Sequence, residues 1–317
     1  MEIIDAEILF TPPNEEHRFL PEGPYPDSDG QLSWVAIQHG PSAQVGSLNR
    51  LDLSTGENQT FELSGRPGFA FPTTRANEFV IGLERSVICY NTKDHSYEQL
   101  VDGIDADVDN TIINDGIVFD DHLIFGCKDL AFANKKAGLY VWSAGPGKLV
   151  QLKDDQVCSN GKVVSTLPDG RLRFYDICSC SKQVLAWDLD LASVSISNPQ
   201  VVIDLTAEPV FPDGMIITPD ERSLIVAIYD PREESEFGEA RQYEIATGHL
   251  QRVWRCQASP RVTCPQLVAH DGRVQLVLTT AAEVMPPEVR QRLSNAGCLF
   301  IAETDFDGLN DTPVYPR

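Results

Sequence analysis

Ser159-Asn-Gly-Lys-Val-Val-Ser-Thr-Leu-Pro-Asp-Gly-Arg-Leu-Arg-Phe-Tyr-Asp176 holds one full instance of the pattern that decides the fold. A polar residue and a glycine, Asn160-Gly, come first, a Pro-Asp-Gly turn follows, and an apolar run begins at Leu172. Similar turn residues precede other runs, at Asp27-Ser-Asp-Gly and Asp271-Gly. These residues preset or tolerate the dihedral angles that turns require. Short apolar runs separated by such turns are typical of an all-β protein.

The apolar runs come in pairs that repeat along the whole chain. The first members begin at residues 34, 79, 123, 172, 224 and 274, which gives six units with a period of 44 to 52 residues. A repeat of this length with several strands per unit is typical of a propeller. We therefore predict an all-β fold in which residues 1–317 form a single six-bladed β-propeller domain. We also expect a strand from Ile3 to Phe10 to join the last blade, because ring closure removes exposed strand edges.

The charge of the chain restricts its partners. It has 47 acidic and 25 basic residues, a formal net charge of −22. Such a surface repels phosphate backbones and anionic lipids, so we expect neither a nucleic-acid partner nor a membrane partner. The acidic start, Met1-Glu-Ile-Ile-Asp, lacks the basic and apolar regions of a secretory signal. We therefore expect a cytoplasmic protein whose eight cysteines are not paired in disulfides.

Four polar residues recur at one phase of the repeat, nine to twelve residues ahead of the first apolar run of a unit: Glu22, Asn114, Asn160 and Asp213. Each is followed within two residues by a glycine. One such pair alone is an ordinary turn, but four at the same phase indicate inner strands that face a common axis. Carboxylate and amide oxygens are ligands for hard cations. We expect one divalent cation, with Ca²⁺ preferred and Mg²⁺, Mn²⁺ or Zn²⁺ as alternatives. The six histidines fall at no consistent phase, and we assign them no ligand role.

Four segments of this chain resemble the signature segments of the senescence marker protein/gluconolactonase family, which includes regucalcin: Glu22-Gly-Pro, Asn114-Asp-Gly, Ser159-Asn-Gly and Pro212-Asp-Gly-Met. The resemblance implies a six-bladed propeller that hydrolyses lactones, with a small molecule as its substrate. It implies that Glu22, Asn160 and Asp213 hold the cation. It also implies that Asp213 is the general base and that Asn114 contacts the substrate.

One position departs from the pattern that this resemblance implies. Sugar-lactone members of the family have an arginine two residues before the asparagine that Asn114 matches, whereas this chain has Ile112. We therefore expect Ile112 to line the substrate position and to favour a less polar lactone or a related ester. Two alternatives stay open. One is a metal-dependent isomerase or cyclase that acts on a specialised metabolite, and the other is a non-catalytic calcium-binding propeller.

Overall fold

The structure, a computed structural model, describes residues 2–27, 30–310 and 312–317. Two residues of the first predicted turn, Ser28 and Asp29, lie outside the described residues. Strands account for 57% of the chain and helices for 4%, which confirms the all-β prediction. The single α-helix among the described residues, α1 (Pro287–Arg292), has a proline at its start and packs Val289 and Leu293 against Ala296. No helix in the described ranges has the length and apolar character needed to cross a membrane.

Four sheets contain four strands each, and their strands pair in chain order. The first sheet comprises β2 to β5, at Pro21–Pro26, Gln31–Ala36, Ser47–Asp52 and Asn58–Glu62. The second comprises β6 to β9, at Pro67–Pro72, Glu78–Leu83, Ser86–Asn91 and Tyr97–Val101. The third comprises β10 to β13, at Thr111–Phe119, His122–Asp129, Ala137–Ser143 and Lys148–Gln156. The fourth comprises β14 to β17, at Ser159–Thr166, Leu172–Cys178, Gln183–Asp190 and Ser195–Asp204.

The fifth sheet has eight strands because the N-terminal strand joins two sets. Its strands are β1 (Glu2–Phe10), β18 (Phe211–Ile217), β19 (Ser223–Tyr229), β20 (Phe237–Glu244), β21 (Leu250–Gln257), β22 (Val262–His270), β23 (Arg273–Thr280) and β24 (Leu299–Glu303). Their spatial order is β18-β19-β20-β21-β1-β24-β23-β22. The first half of β1 pairs in parallel with β21, and its second half pairs antiparallel with β24. From the sequence we expected β1 to join the last unit, which contains β24. Its pairing with β21, in the preceding unit, was not expected.

The chain divides into two compact units. Unit 1 comprises residues 1–67 and 207–312, and unit 2 comprises residues 68–206 and 313–317. Unit 1 is centred on aromatic and aliphatic side chains of the eight-stranded and first sheets, among them the fully buried Trp34 and Trp254. In unit 2, Ile124, Val141 and Phe174 form a cluster across β11, β12 and β15. That residues 1–317 form a single domain remains a prediction.

Candidate metal and substrate site

Each of the four predicted site residues lies at an irregularity in the first strand of its set. The pairing register with the next strand shifts at Glu22/Tyr25 in β2, Ile113/Gly116 in β10, Asn160/Lys162 in β14 and Pro212/Met215 in β18. A β-bulge breaks the alternation of side chains and re-aims the residue beside it, which is why bulges are common next to active sites. The four residues that recur at one phase of the sequence repeat therefore also share an irregularity of the backbone.

The glycines after the polar residues allow these irregularities. Gly23 has a φ of +54°, in the left-handed region that favours glycine. At Gly214, an added Cβ would lie 2.7 Å from the backbone oxygen of Thr263 and 2.7 Å from the Sγ of Cys264. Real side chains do not approach so closely, so the glycine after Asp213 lets β18 pack directly on β22.

Two of the predicted residues, Asn114 and Asn160, contact each other inside unit 2. Both are buried. The Nδ2 of Asn114 donates to the Oδ1 of Asn160 and to the backbone oxygen of Ser159, each at 2.8 Å. The Nδ2 of Asn160 donates to the Oγ of Ser179 at 2.8 Å. These bonds fix both amide planes and direct the Oδ1 of Asn160 at the Nδ2 of Asn114.

A buried lysine, Lys162, donates hydrogen bonds to the segment that carries Asn160. The Nζ of Lys162 donates to the backbone oxygen of Asn160 at 2.5 Å and to the Oγ of Ser159 at 2.9 Å. It also lies 3.7 Å from the Oδ1 of the buried Asp176. Burial raises the pKa of Asp115 and of Asp176, and the charge of Lys162 opposes both shifts. Nothing in the sequence repeat indicates a role for this lysine, because only the structure shows that β14 is buried around it.

The other two predicted residues, Glu22 and Asp213, belong to unit 1. Asp213 is 8% exposed, and Glu22 is half-buried. Strand β22 contacts the residue next to each of them, because the Oγ1 of Thr263 donates to the backbone oxygen of Pro21 at 2.7 Å and Gly214 packs on the same threonine. The two carboxylates therefore come from strands that contact one common strand.

Tyr229 lies close enough to Asp213 to experience its charge. Burial raises the pKa of Tyr229 well above its usual value, the charge of Glu283 adds to this effect, and Asp213 contributes in the same direction. Arg261, whose guanidinium lies over the Tyr229 ring at 5.6 Å from its centroid, opposes the shift. Tyr229 is therefore a protonated phenol, and its side-chain hydrogen bond is with Glu283. No sequence motif indicated it, because it ends an otherwise apolar strand.

Ile112 is only 2% exposed, and its backbone pairs with Lys128 of β11. Its side chain brings no polar group to the neighbourhood of Asn114. Its contact with a substrate remains a prediction.

The donor groups fit a hard divalent cation. Glu22 and Asp213 carry carboxylates, and Asn114 and Asn160 carry amide oxygens whose orientation hydrogen bonds fix. Oxygen-only donor sets of this kind are those that Ca²⁺ and Mg²⁺ prefer. The convergence of these residues on one ion remains a prediction.

Comparisons with known proteins show a family match and a similar relative. A family model described as the SMP-30/Gluconolactonase/LRE-like region matches residues 20–282. A protein of Bacillus subtilis (strain 168), named "Putative sugar lactone lactonase YvrE", is 25% identical over 307 residues, covering 92% of this chain and 94% of the relative.

Two solved structures are similar in fold. The calcium-binding protein regucalcin from Agrobacterium tumefaciens has a TM-score of 0.82 at 18% identity, with 99% of each chain covered. The gluconolactonase XC5397 from Xanthomonas campestris has a TM-score of 0.64 at 14% identity, covering 93% of this chain and 88% of its own. The all-β architecture is therefore propeller-like.

Proposed function

This chain belongs to the SMP-30/gluconolactonase/LRE-like family, and on that basis we propose that it is a metal-dependent hydrolase of a lactone or a related ester. The observation that carries the proposal is the family match over residues 20–282, together with a lactonase-named relative that aligns over 92% of the chain. We also infer six blades. Four are the four-stranded sheets, and the other two are the β18–β21 and β22–β24 sets that β1 links.

We propose that Glu22, Asn160 and Asp213 hold the divalent cation, with Ca²⁺ preferred. The oxygen-only donor set and the bulge beside each residue support this assignment. When bound, the cation would act as a Lewis acid on the lactone carbonyl. The hydrogen bond from Asn160 Nδ2 to Ser179 Oγ turns the Oδ1 of Asn160 away from Ser179, toward Asn114.

Asp213 is the proposed general base. It takes a proton from the attacking water as the water oxygen bonds to the carbonyl carbon. The ring C–O bond then breaks, and the ring oxygen leaves with a proton to give the hydroxy acid. The burial of Asp213 limits competition from bulk water.

Asn114 is the proposed substrate contact. Both hydrogens of its Nδ2 are directed at protein oxygens, so it offers its Oδ1 as an acceptor. The buried Ile112 two residues earlier supplies no donor, which favours a lactone with few hydroxyl groups.

The test is a panel of sugar, aliphatic and aromatic lactones assayed with and without EDTA and with each cation. We expect turnover of at least one aliphatic or aromatic lactone that EDTA abolishes and Ca²⁺ restores. Asp213→Asn should lower kcat by about 10²–10⁴-fold, the usual contribution of a general base. Asp271→Asn is the matched control, because the Asp271 side chain is 87% exposed and should leave turnover unchanged.

Full activity in EDTA, or in the Asp213→Asn variant, would refute the proposed mechanism. A panel with no turnover combined with tight Ca²⁺ binding would favour the non-catalytic binding protein. Conversion of a substrate without net hydrolysis would favour the isomerase or cyclase.

A further inference from the structure

Three side chains that the proposed reaction does not use lie together at one edge of the first sheet. His17 is in the 3-10 helix Glu15–Arg18, His39 follows β3, and Glu62 ends β5. The Nε2 of His17 lies 3.4 Å from the Oε1 of Glu62, and the Nδ1 of His39 lies 3.4 Å from its Oε2. One ligand atom from each residue lies within 4.8 Å of the others.

We propose that His17, His39 and Glu62 form a second metal site that binds Zn²⁺ or a similar borderline cation. Two imidazole nitrogens and one carboxylate are a typical donor set for zinc, with water at the fourth position. This nitrogen-containing set differs in chemistry from the oxygen-only set of Glu22, Asn160 and Asp213, so the two sites select different ions.

The distances are compatible with an ion shared by the three side chains. Hydrogen bonds between nitrogen and oxygen usually span about 2.7–3.2 Å, which is shorter than the 3.4 Å found at both histidines. Ligands about 2.0–2.2 Å from a tetrahedral zinc ion lie about 3.3–3.5 Å from one another. Each N···O separation is therefore compatible with an imidazole nitrogen and a carboxylate oxygen bound to one zinc ion. The two contacts involve different oxygens of Glu62, so one of these oxygens is the ligand when water takes the fourth position.

A supporting hydrogen bond orients one of the ligands. The Nε2 of His39 lies 3.0 Å from the Oγ of Ser47, which in turn accepts from the Nδ2 of the buried Asn49 at 3.0 Å. Ser47 also pairs with Glu62 across β4 and β5. Metal-binding histidines commonly use their second nitrogen in this way, which fixes the ring and leaves the other nitrogen for the metal.

The cluster is open to solvent on one side. The His17 side chain is buried, whereas the Glu62 side chain is 64% exposed, so an ion and its water can enter from the Glu62 side.

The experiment measures Zn²⁺ affinity of the full chain by competition with a chromophoric chelator. The background carries Asp213→Asn, which weakens the oxygen-only site, and Cys180→Ser, which removes the exposed thiol. We expect one Zn²⁺ per chain, and at least tenfold weaker binding in Glu62→Gln and in His39→Ala. His249→Ala, a change at an exposed histidine outside the group, is the matched control and should bind as the parent does.

Glu62→Gln changes an exposed side chain and should leave the fold intact, which a thermal melt in EDTA checks. Co²⁺ gives an independent readout, because nitrogen and oxygen ligands in a tetrahedral site produce a visible absorption that Glu62→Gln and His39→Ala should remove. Unchanged Zn²⁺ affinity in both variants, or no bound Zn²⁺ in the parent, would overturn the proposal. None of these readouts depends on lactone hydrolysis, so they can fail independently of the proposed function.

Discussion

Replacing Lys162 with methionine tests whether a buried ammonium supports the asparagine pair. The change removes the hydrogen bonds to Asn160 and Ser159 and the ion pair with Asp176. The Asp176 carboxylate keeps the hydrogen bond from the Nε2 of Gln156, at 3.0 Å, and the influence of the Lys153 charge. Loss of one partner of a buried ion pair costs about 3–5 kcal/mol, because the other charge stays buried without compensation. We therefore expect Lys162→Met to lower the free energy of unfolding by about that amount.

The assay is urea unfolding followed by tryptophan fluorescence. Lys148→Met, at an exposed lysine, is the control and should change the free energy of unfolding by less than about 0.5 kcal/mol. The double variant Lys162→Met/Asp176→Asn should recover part of the loss, because it removes the uncompensated charge. A cost below about 1 kcal/mol for Lys162→Met, or strict additivity in the double variant, would refute the reasoning.

The same variant has a pH dependence whose sign follows from Asp176. Burial raises the folded-state pKa of Asp176 above its unfolded value. The contribution of Asp176 to the stability of the folded state is therefore fully present below its unfolded-state pKa and is lost as the pH rises through its folded-state pKa. Lys162→Met removes the charge that offsets ionised Asp176. The loss in the free energy of unfolding that this substitution causes should therefore be smaller in mild acid than at pH 7. Equal costs at both pH values would contradict this assignment.

Two further predictions concern the backbone. Gly214→Ala should lower the free energy of unfolding, measured in urea, by about 1–3 kcal/mol, because the added Cβ would overlap the Thr263 backbone oxygen. Gly308→Ala is the control, because a Cβ added at Gly308 would lie in open space. Asp52 has its pKa lowered to about 2 by hydrogen bonds from the Ser54 hydroxyl and from the backbone of Thr55 and Ser54. Its contribution is therefore present at neutral pH and lost as pH falls toward 2, so the stability difference between the wild type and Asp52→Asn should shrink over that range; a constant difference would contradict it.

The central strands of the sets could be predicted from the sequence because they are buried on both faces. The run at Leu224, for example, lies in β19, whose residues are nearly all buried and which reads as continuous apolar sequence. The outermost strands carry no such signal. β17 (Ser195–Asp204) is mostly exposed and half of its residues are polar, so its pairing with β16 is what identifies it as a strand. The parallel pairing of β1 with β21 joins segments far apart in the chain, which no local pattern records.

The candidate site was partly predictable for the same reason. The repeat phase selects Asn114 and Asn160, which lie in hydrogen-bond contact, and the glycines mark the bulges beside the site residues. The supporting groups follow no repeat. Lys162 reads as a surface residue until the burial of β14 is known, and His17 and His39 meet Glu62 only through tertiary folding.

The most direct test of the proposed metal centre is the anomalous diffraction of crystals grown with Mn²⁺ as a stand-in for Ca²⁺. We predict an ion within ligand distance, about 2.0–2.6 Å, of oxygens from Glu22, Asn160 and Asp213. The account would be contradicted if the crystals showed no Mn²⁺, or showed Mn²⁺ only at places away from these three side chains.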